Sequence, residues 1–268
     1  APLFTIIASG AMLGYLRSDI PLSAVAIEIF GIAEMPILLA IPLFTFAGYI
    51  LSESDAPSRL VRVTNAMLGW LPGGLAIVAI ATCALFTAFT GASGVTIIAL
   101  GALLYPALAQ AGYNDRFNLG LVTAGGSLGL LFAPSLPLIL YGVVAGVSID
   151  ALFIAGVLPG LLMMVTMSAY CLWVNRGNRV PLSDFSWPEV GRALSESAWE
   201  LPLPAVVLGG IYSGFLAVSE AAAVTAIYVV VVEVAFRREI TWSRLPGIMR
   251  ESMVLVGGIL LILGASLA

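Results

Sequence analysis

Long apolar segments with few or no charged residues follow one another along almost the whole chain, and they limit what it can fold into. They lie at about 1–16, 35–51, 71–90, 95–111, 118–148 (interrupted), 151–174, 201–216, 219–236 and 252–268. Hydrophobic residues make up 60% of the sequence and charged residues 10%, against roughly a quarter charged in soluble domains. A soluble domain with a single anchor is therefore excluded, and the whole chain is predicted to lie in a membrane.

The composition of these segments indicates helices. Leu, Ala, Ile, Val and Gly follow one another without the alternation that a transmembrane β-barrel requires. Because lipid offers no hydrogen bonds to the backbone, each segment must satisfy its own peptide groups, which a helix does. The predicted fold class is all-α: a polytopic transmembrane helical bundle.

The charged residues exclude several function classes. All eleven cations are Arg, and the sequence has neither His nor Lys. Cys83 and Cys171 lie inside apolar segments and form no zinc-binding pattern. No basic nucleic-acid footprint is present. We therefore predict no catalytic residues, no nucleic-acid partner and no metal other than Na⁺, with lipid as the surroundings.

Arginine placement predicts the orientation, because short cytoplasmic loops are enriched in Lys and Arg. Residues 176–192 and 237–250 hold seven of the arginines and are separated by two segments, so they share the cytoplasmic side. Counting back places Arg116 on that side and Asp150 on the other. Arg59 and Arg62 are cytoplasmic only if segments 71–90 and 95–111 enter and leave by one face.

The stretch "FTGASGV" at 89–95 separates those two segments. Each helix beside "GASG" would reach roughly 25 Å, less than the roughly 30 Å hydrocarbon core. Two crossings joined by an outside turn would also fit the arginines, but the small uncharged tip favours a re-entrant hairpin. Glycine at such a tip lets the backbone approach other groups closely.

A second interruption, "TAGGSLGLLFAPSLP" at 123–137, divides segment 118–148. Its glycines loosen a helix, Pro134 and Pro137 restart one, and Ser135 is placed to cap the restarted half. A proline kink in a packed helix is the alternative. Two breaks close in sequence favour a transporter, in which freed carbonyls bind cations and freed amides attract anions.

These breaks predict an ion pocket without a buried carboxylate. Na⁺ takes oxygen ligands, which carbonyls at broken helix ends can supply, and an anionic solute would bind beside it. The hydroxyls that could add to the pocket are those of Thr90, Ser93, Thr123, Ser127 and Ser135.

Other groups are interpreted as structural. Asp150 is predicted to cap segment 151–174, Glu220 to stabilise a helix start, and Glu233 to pair with Arg237 four residues later. Three glycine pairs with small-xxx-small spacing predict close helix contacts. They are Gly125 with Gly129, Gly156 with Gly160, and Gly210 with Gly214. "GASG" also fits the nucleophile pattern of intramembrane serine proteases, but Ser93 would lack a His or Lys base.

Longer motifs resemble the large membrane subunit of tripartite ATP-independent periplasmic (TRAP) transporters. They include "FTGASGVTIIALGALLYPALAQAGYNDRF", "GGSLGLLFAPSLPLILYG" and "AGVSIDALFIAGVLPG". "LLAIPLFTFAGYIL", "GWLPGGLAIV" and "SEAAAVTAIYV" extend the likeness over nearly the whole chain.

The resemblance implies an inner-membrane, multi-pass, Na⁺-coupled elevator transporter that is not an enzyme. A small four-helix membrane subunit and a periplasmic solute-binding protein would be its partners, and an organic acid its substrate. Sialic acids, C4-dicarboxylates and keto acids are the candidates.

Carried over by motif, the resemblance gives the site residues. The Na⁺ site would be formed by Gly91, Ser93, Gly94, Thr123, Gly126 and Ser127. The wall of the substrate cavity would be formed by Thr90, Ser93, Pro134 and Ser135. Gly125 lies in the same break.

The resemblance also divides the chain. Residues 1–70 would be scaffold helices and surface connectors, and 71–150 half of a transport domain, with the hairpin at 75–111 and the broken helix at 118–148. Residues 151–200 would be a helix and cytoplasmic connector, and 201–268 the start of an inverted second repeat. The second hairpin and second Na⁺ site are expected outside this sequence, as is any substrate-clamping Arg.

Two other functions remain open from the sequence. A stand-alone Na⁺/dicarboxylate symporter would use the same hairpin and broken helix. A structural membrane protein would use its glycines for packing alone.

Overall fold

The computed structural model describes residues 3–18, 21, 23, 27, 30–31, 34–71, 73–176 and 185–267. The α-helices of these residues are α1 (Leu3–Arg17), α2 (Ala40–Glu53), α3 (Ala56–Leu68), α4 (Gly74–Thr90), α5 (Ser93–Gln110), α6 (Asp115–Leu128), α7 (Leu136–Ala145), α8 (Ile149–Val174), α9 (Trp187–Glu196), α10 (Pro202–Tyr212), α11 (Val218–Val230) and α12 (Leu245–Leu267). Short 3₁₀ turns at Pro36–Leu39 and Gly129–Leu131 precede α2 and follow α6, and a π-helical turn at Val231–Phe236 extends α11.

The predicted all-α class is confirmed, since the described residues contain helices and no strand. Five helices are long and apolar enough to cross a membrane, and α6 with α7 makes a sixth if that bent pair is one span. Each predicted apolar segment holds a helix or a broken pair. Most ends differ by a few residues; α12 begins at Leu245, seven residues before the predicted start at 252.

Helix α2 is the centre of the packing, with α11, α12 and α4 against it. Its buried face includes Ala40, Ala47 and Gly48, and the facing side of α11 includes Ala221 and Ala222. Such small residues let helix backbones approach closely where no hydrophobic effect drives association in lipid.

Helices α4 and α5 form the predicted hairpin, packed against each other and joined through Gly91 and Ala92. Helix α6 packs along both of its arms. The α4 helix, counted to Ala88, falls below the length of a membrane span, as a re-entrant arm requires, whereas the 18 residues of α5 reach it. The depth of the tip in the bilayer stays a prediction.

The predicted broken helix is also present. Residues 115–131 and 136–145 meet at an angle of 44°. Their glycine contacts agree with the predicted close packing: a Cβ added to Gly125 would lie 3.3 Å from Cys83 Cβ, and one on Gly129 would lie 2.3 Å from Thr87 Cβ.

The second glycine pair also makes close packing contacts, whereas the third has a different role. Gly156 and Gly160 of α8 pack against Leu131 and Phe132 at the break. Gly214, by contrast, adopts φ of 73° just after α10 ends, and the amides after it bond to the Gly210 carbonyl. The third prediction was wrong because this pair terminates a helix.

The roles predicted for two acidic residues at helix starts have different outcomes. Ser148, not Asp150, caps α8: its hydroxyl accepts from the Ala151 N–H at 3.2 Å, while Asp150 lies in the first turn. The structural role of Glu220 is confirmed, because its carboxylate accepts the Ala217 N–H at 2.9 Å.

The predicted pairing of Glu233 with Arg237 was wrong. In an α-helix the two side chains would share a face, but the π-helical turn adds to the spacing, and the Arg237 N–H bonds to the Val232 carbonyl five residues back. Glu233 therefore turns inward and is fully buried, while Arg237 reaches Glu200.

Residues 52–66, which fall among the predicted scaffold helices and surface connectors, lie mostly in α3, and this helix packs against α4 and α9. Arg59 on its inner face is only 7% exposed, and Thr64 contacts Thr82 of α4 through their hydroxyls. This helix leads directly into the hairpin. Much of the connector at 17–34, like Arg179, lies outside the described residues.

We expect Gly156→Ala to lower the free energy of unfolding of the complete protein by about 1–3 kcal/mol, as overpacking does. The new Cβ would lie 2.3 Å from the Leu131 carbonyl oxygen, which belongs to the backbone. Denaturation in detergent measures the change. Gly120→Ala in α6 is the control, because nothing lies within 4 Å of its Cβ and Ala has the higher helix propensity. Equal stability of the two variants would contradict the packing at the break.

Candidate functional site

The hairpin tip and the break in the second helix meet. The Leu136 N–H donates to the Gly91 carbonyl at 3.3 Å, so a backbone bond joins the two interruptions. A Cβ added to Gly91 would lie 3.1 Å from the Pro134 carbonyl oxygen, and one on Gly48 would lie 2.6 Å from Thr90 Cα. The tip is therefore enclosed by α2 on one side and by the break on another.

The turn at the tip is shorter than "GASG". Gly91 closes α4 in the left-handed region, with φ of 65° and its N–H bonded to the Thr87 carbonyl at 2.7 Å. Ala92 is the extended N-cap of α5. Ser93 and Gly94 already lie in the first turn of α5, where the opening amides have no acceptor within the helix.

A cluster of buried threonine hydroxyls lies beneath this turn. Thr87 Oγ1 lies 2.7 Å from the Cys83 carbonyl of its own helix, 2.9 Å from Thr96 Oγ1 and 3.1 Å from the Gly126 carbonyl, and Thr90 Oγ1 lies 3.2 Å from Thr96 Oγ1. The Ala92 carbonyl lies 3.3 Å from Thr96 Oγ1. Side-chain and backbone oxygens from α4, α5 and α6 thus converge in one uncharged, water-excluded place.

Ser135 lies where the two breaks meet, and its hydroxyl makes no hydrogen bond to the described residues. It occupies the N-cap position of α7, between the two residues that contact Gly91. Its side chain is 0% exposed, makes no capping bond, and finds no hydrogen-bond partner among the described residues. The predicted cap was therefore wrong. A buried hydroxyl without a partner is costly, so this oxygen points to a ligand.

A cavity of about 800 Å³ opens beside the tip. Gly91 to Val95 form one wall of it, and apolar residues of α5, α7 and α12 form most of the rest. Its polar lining includes Tyr49, Ser52, Glu53 and Glu251. The unpaired amides at the start of α5 adjoin it, and amides at a helix start favour an anionic group.

The structure brings together most of the predicted site residues. Thr90, Gly91, Pro134 and Ser135 are buried at the junction, and the carbonyl of Gly126 joins the hydroxyl cluster. Of the predicted cavity residues, only Ser93 lines the cavity, together with Gly91 and Gly94 from the predicted ion site.

Two predicted ligands lie elsewhere on α6. Thr123 and Ser127 are exposed, and their hydroxyls donate to carbonyls of their own helix, those of Leu119 at 2.8 Å and Thr123 at 3.1 Å. Their assignment to the ion site stays a prediction.

Thr87 and Thr96 were missed by the sequence reasoning. The signal was present, since "TAFTGASGVT" places hydroxyls at 87, 90 and 96. Positions 87 and 90 share a helix face, and 96 lies one turn into the facing arm. Only the hairpin pairing shows that all three point to one place.

Comparison with known proteins gives one family. The sequence model of the DctM component of the tripartite ATP-independent periplasmic transporter matches residues 1–268.

Individual relatives cover most or all of the chain. The ectoine/5-hydroxyectoine TRAP transporter large permease protein of Ruegeria pomeroyi is 34% identical over 272 residues, covering 100% of this chain and 63% of the relative. The isethionate TRAP transporter permease protein of Oleidesulfovibrio alaskensis is 37% identical, covering 90% and 37%. The C4-dicarboxylate TRAP transporter large permease protein of Pseudomonas aeruginosa is 36% identical, covering 91% and 57%. The chain spans about half the length of such relatives.

We expect Gly91→Ala to destabilise the protein by about 1–2 kcal/mol, because Ala is strained at φ of 65° and its Cβ would press on the Pro134 carbonyl. Thermal unfolding of the purified complete protein measures this. Gly94→Ala is the matched change three residues on, with nothing within 4 Å of the new Cβ. If Gly91→Ala were as stable as Gly94→Ala, the tip would not have the described conformation.

Proposed function

We propose, from the premise that this chain belongs to the DctM component family of tripartite ATP-independent periplasmic transporters, that it carries half of a Na⁺-coupled import pathway for an organic acid. The unpartnered Ser135 hydroxyl, buried where the two helix breaks meet, is the observation that carries the proposal.

Family membership confirms the resemblance drawn from the motifs and the general class of function. The chain belongs to the TRAP large permeases, which are multi-pass proteins of the bacterial inner membrane and transporters rather than enzymes. The peptidase interpretation of Ser93 is thereby removed.

The proposed cation site lies at the junction. Thr87, Thr90 and Thr96 supply hydroxyl oxygens and Ala92 and Gly126 supply carbonyls close by. Such a set is neutral and composed of oxygen, which suits Na⁺ in an interrupted membrane helix. Ser135 would supply an oxygen that has no other use. Because Na⁺ is transported, it is a co-substrate here.

The proposed organic acid binds in the cavity against the first turn of α5. Bound Na⁺ beneath the tip and the free amides of that turn both favour an anion. Ectoine, isethionate and C4-dicarboxylates, which the relatives' names give as their substrates, all carry an acid group. Arg116, exposed in the first turn of α6, does not line the cavity.

The proposed mechanism is an elevator. Helices α4 to α8 contact one another through the hairpin and the break, so they can move as one body carrying the site. Helices α2, α11 and α12 pack together and would be the stationary scaffold. A periplasmic solute-binding protein would deliver the acid, and a small membrane subunit would complete the complex.

A stand-alone Na⁺/dicarboxylate symporter would differ in needing no binding protein. Uptake by the purified permease without a binding protein would favour it. A purely structural role predicts instead that no variant at the junction alters uptake.

We expect Ser135→Ala to weaken Na⁺ activation of uptake by about tenfold or more, since one lost ligand worth about 1.4 kcal/mol gives a factor of ten. Uptake of a panel of organic acids into proteoliposomes containing the complete complex, over a range of Na⁺ concentrations, measures this. Thermal stability without Na⁺ should not fall, because the hydroxyl has no partner to lose.

Thr166→Val is the control, because this exposed hydroxyl bonds only within α8, to the carbonyls of Leu162 and Met163. It should leave the Na⁺ dependence unchanged. Wild-type uptake that is indifferent to Na⁺, or equal Na⁺ dependence in wild type and Ser135→Ala, would refute the cation site.

A further inference from the structure

A second polar centre lies away from the hairpin tip, where α3, the turn before α10 and the end of α11 meet. Five charged side chains converge there: Arg59, Glu200, Glu233, Arg237 and Glu239. Arg59 is 7% exposed, Glu200 2% and Glu233 0%. In a chain with so few charges, this cluster calls for a physical explanation.

Two of the three carboxylates are well paired. Arg59 Nη2 donates to Glu200 Oε1 at 2.7 Å, and Arg59 Nη1 donates to Glu239 Oε1 at 2.5 Å. Arg237 Nη2 donates to Glu200 Oε2 at 3.3 Å. The Asp55 N–H donates to Glu239 Oε2 at 2.8 Å. Glu200 and Glu239 are therefore compensated as anions.

Glu233 is not compensated. Its nearest cationic atom is Arg59 Nη2, 3.6 Å from Oε1, and that nitrogen is already bonded to Glu200. Neither Glu233 oxygen accepts a hydrogen bond from the described residues. The two guanidinium groups are thus shared among three carboxylates, and a buried anion without hydrogen bonds is strongly disfavoured.

Other neighbouring groups do not relieve this charge. The Tyr228 hydroxyl, on the same helix, donates to the Trp199 carbonyl at 2.7 Å. Arg237 is turned toward Glu200 and the Glu196 carbonyl. A metal ion is not supported either, because the described residues form no group of three or more acidic, Cys or His side chains placed to hold one.

We propose that Glu233 is a proton-binding site: its carboxylate takes a proton from bulk water and keeps it in the folded protein, because the neutral acid is the form that this buried position, without hydrogen-bond partners among the described residues, tolerates. No other bond changes, and the five groups together become neutral.

Glu239 differs from Glu233 in being well supported as an anion. Burial raises its pKa, but hydrogen bonds from Arg59 and the Asp55 N–H and the charge of Arg59 bring the pKa below its usual value. Glu233 has no such hydrogen bonds from the described part of the chain, so the proton is assigned to Glu233 and not to Glu239.

The proton has a structural consequence. Glu233 lies in the π-helical turn that follows α11, and Glu239, just after that turn, binds both Arg59 and the backbone at the start of α3. The end of this turn is therefore tied to the helix that leads into the hairpin. Losing the proton would add a negative charge between α3 and α11 and weaken their contact.

Infrared spectroscopy of the complete protein tests the site. We expect a protonated-carboxyl band at neutral pH that decreases as the pH is raised. Glu233→Gln should lose this band, and Glu239→Gln should shift its loss to lower pH, because two guanidinium groups would then face two carboxylates. Absence of the band from the wild type at neutral pH would overturn the proposal without any variant.

Thermal unfolding gives a second readout. The wild-type Tm should fall as the pH rises, because a group that holds its proton more tightly when folded stabilises the fold only while protonated. Glu233→Gln, a neutral replacement of similar shape, should fold normally and lose that pH dependence. Glu239→Gln should lower Tm by several degrees at neutral pH by removing one of the two carboxylates that pair with Arg59. Equal destabilisation by both variants would show that Glu233 is an anion and refute the site.

Discussion

The hydrogen bond between the Leu136 N–H and the Gly91 carbonyl is the contact on which the rest of the site depends. A helix that stops inside an apolar region leaves peptide groups without partners, and two such stops are tolerable only if they satisfy each other or line a cavity. Here one carbonyl of the hairpin is satisfied by the restarted helix. This contact brings Ser135, the start of α5 and the threonine cluster to one place.

Much of the fold follows from the sequence because apolar segments and glycine–proline breaks have direct physical meaning. The segments predicted the helices, and the two breaks were located within a few residues. What could not be predicted was how each glycine is used. Gly156 has no side chain, which leaves room for the neighbouring Leu131 carbonyl, whereas Gly214 adopts the positive φ that ends a helix. The same spacing serves both, so spacing alone cannot distinguish them.

The position of the site could be predicted from the sequence more fully than the atoms that form it. Thr90, Gly91 and Ser135 were identified because they lie at the breaks themselves. Thr87 and Thr96 were missed because they lie on the arms, where a hydroxyl often bonds only to its own helix. Glu233 was assigned to Arg237 because α-helical spacing was assumed, and a π-helical turn has no comparable sequence signal.

Helix α3 links the two polar centres. Helix α3 connects the charged cluster, through Arg59, to α4, which it contacts through Thr64 and Thr82. If the hairpin moves as proposed, either α3 moves with it or the Thr64–Thr82 hydroxyl contact breaks. Carrying α3 would pull Arg59 away from Glu200 and Glu239, leaving buried charges unpaired, which is far more costly than exchanging one hydroxyl partner. The charged cluster thus favours α3 as part of the stationary scaffold.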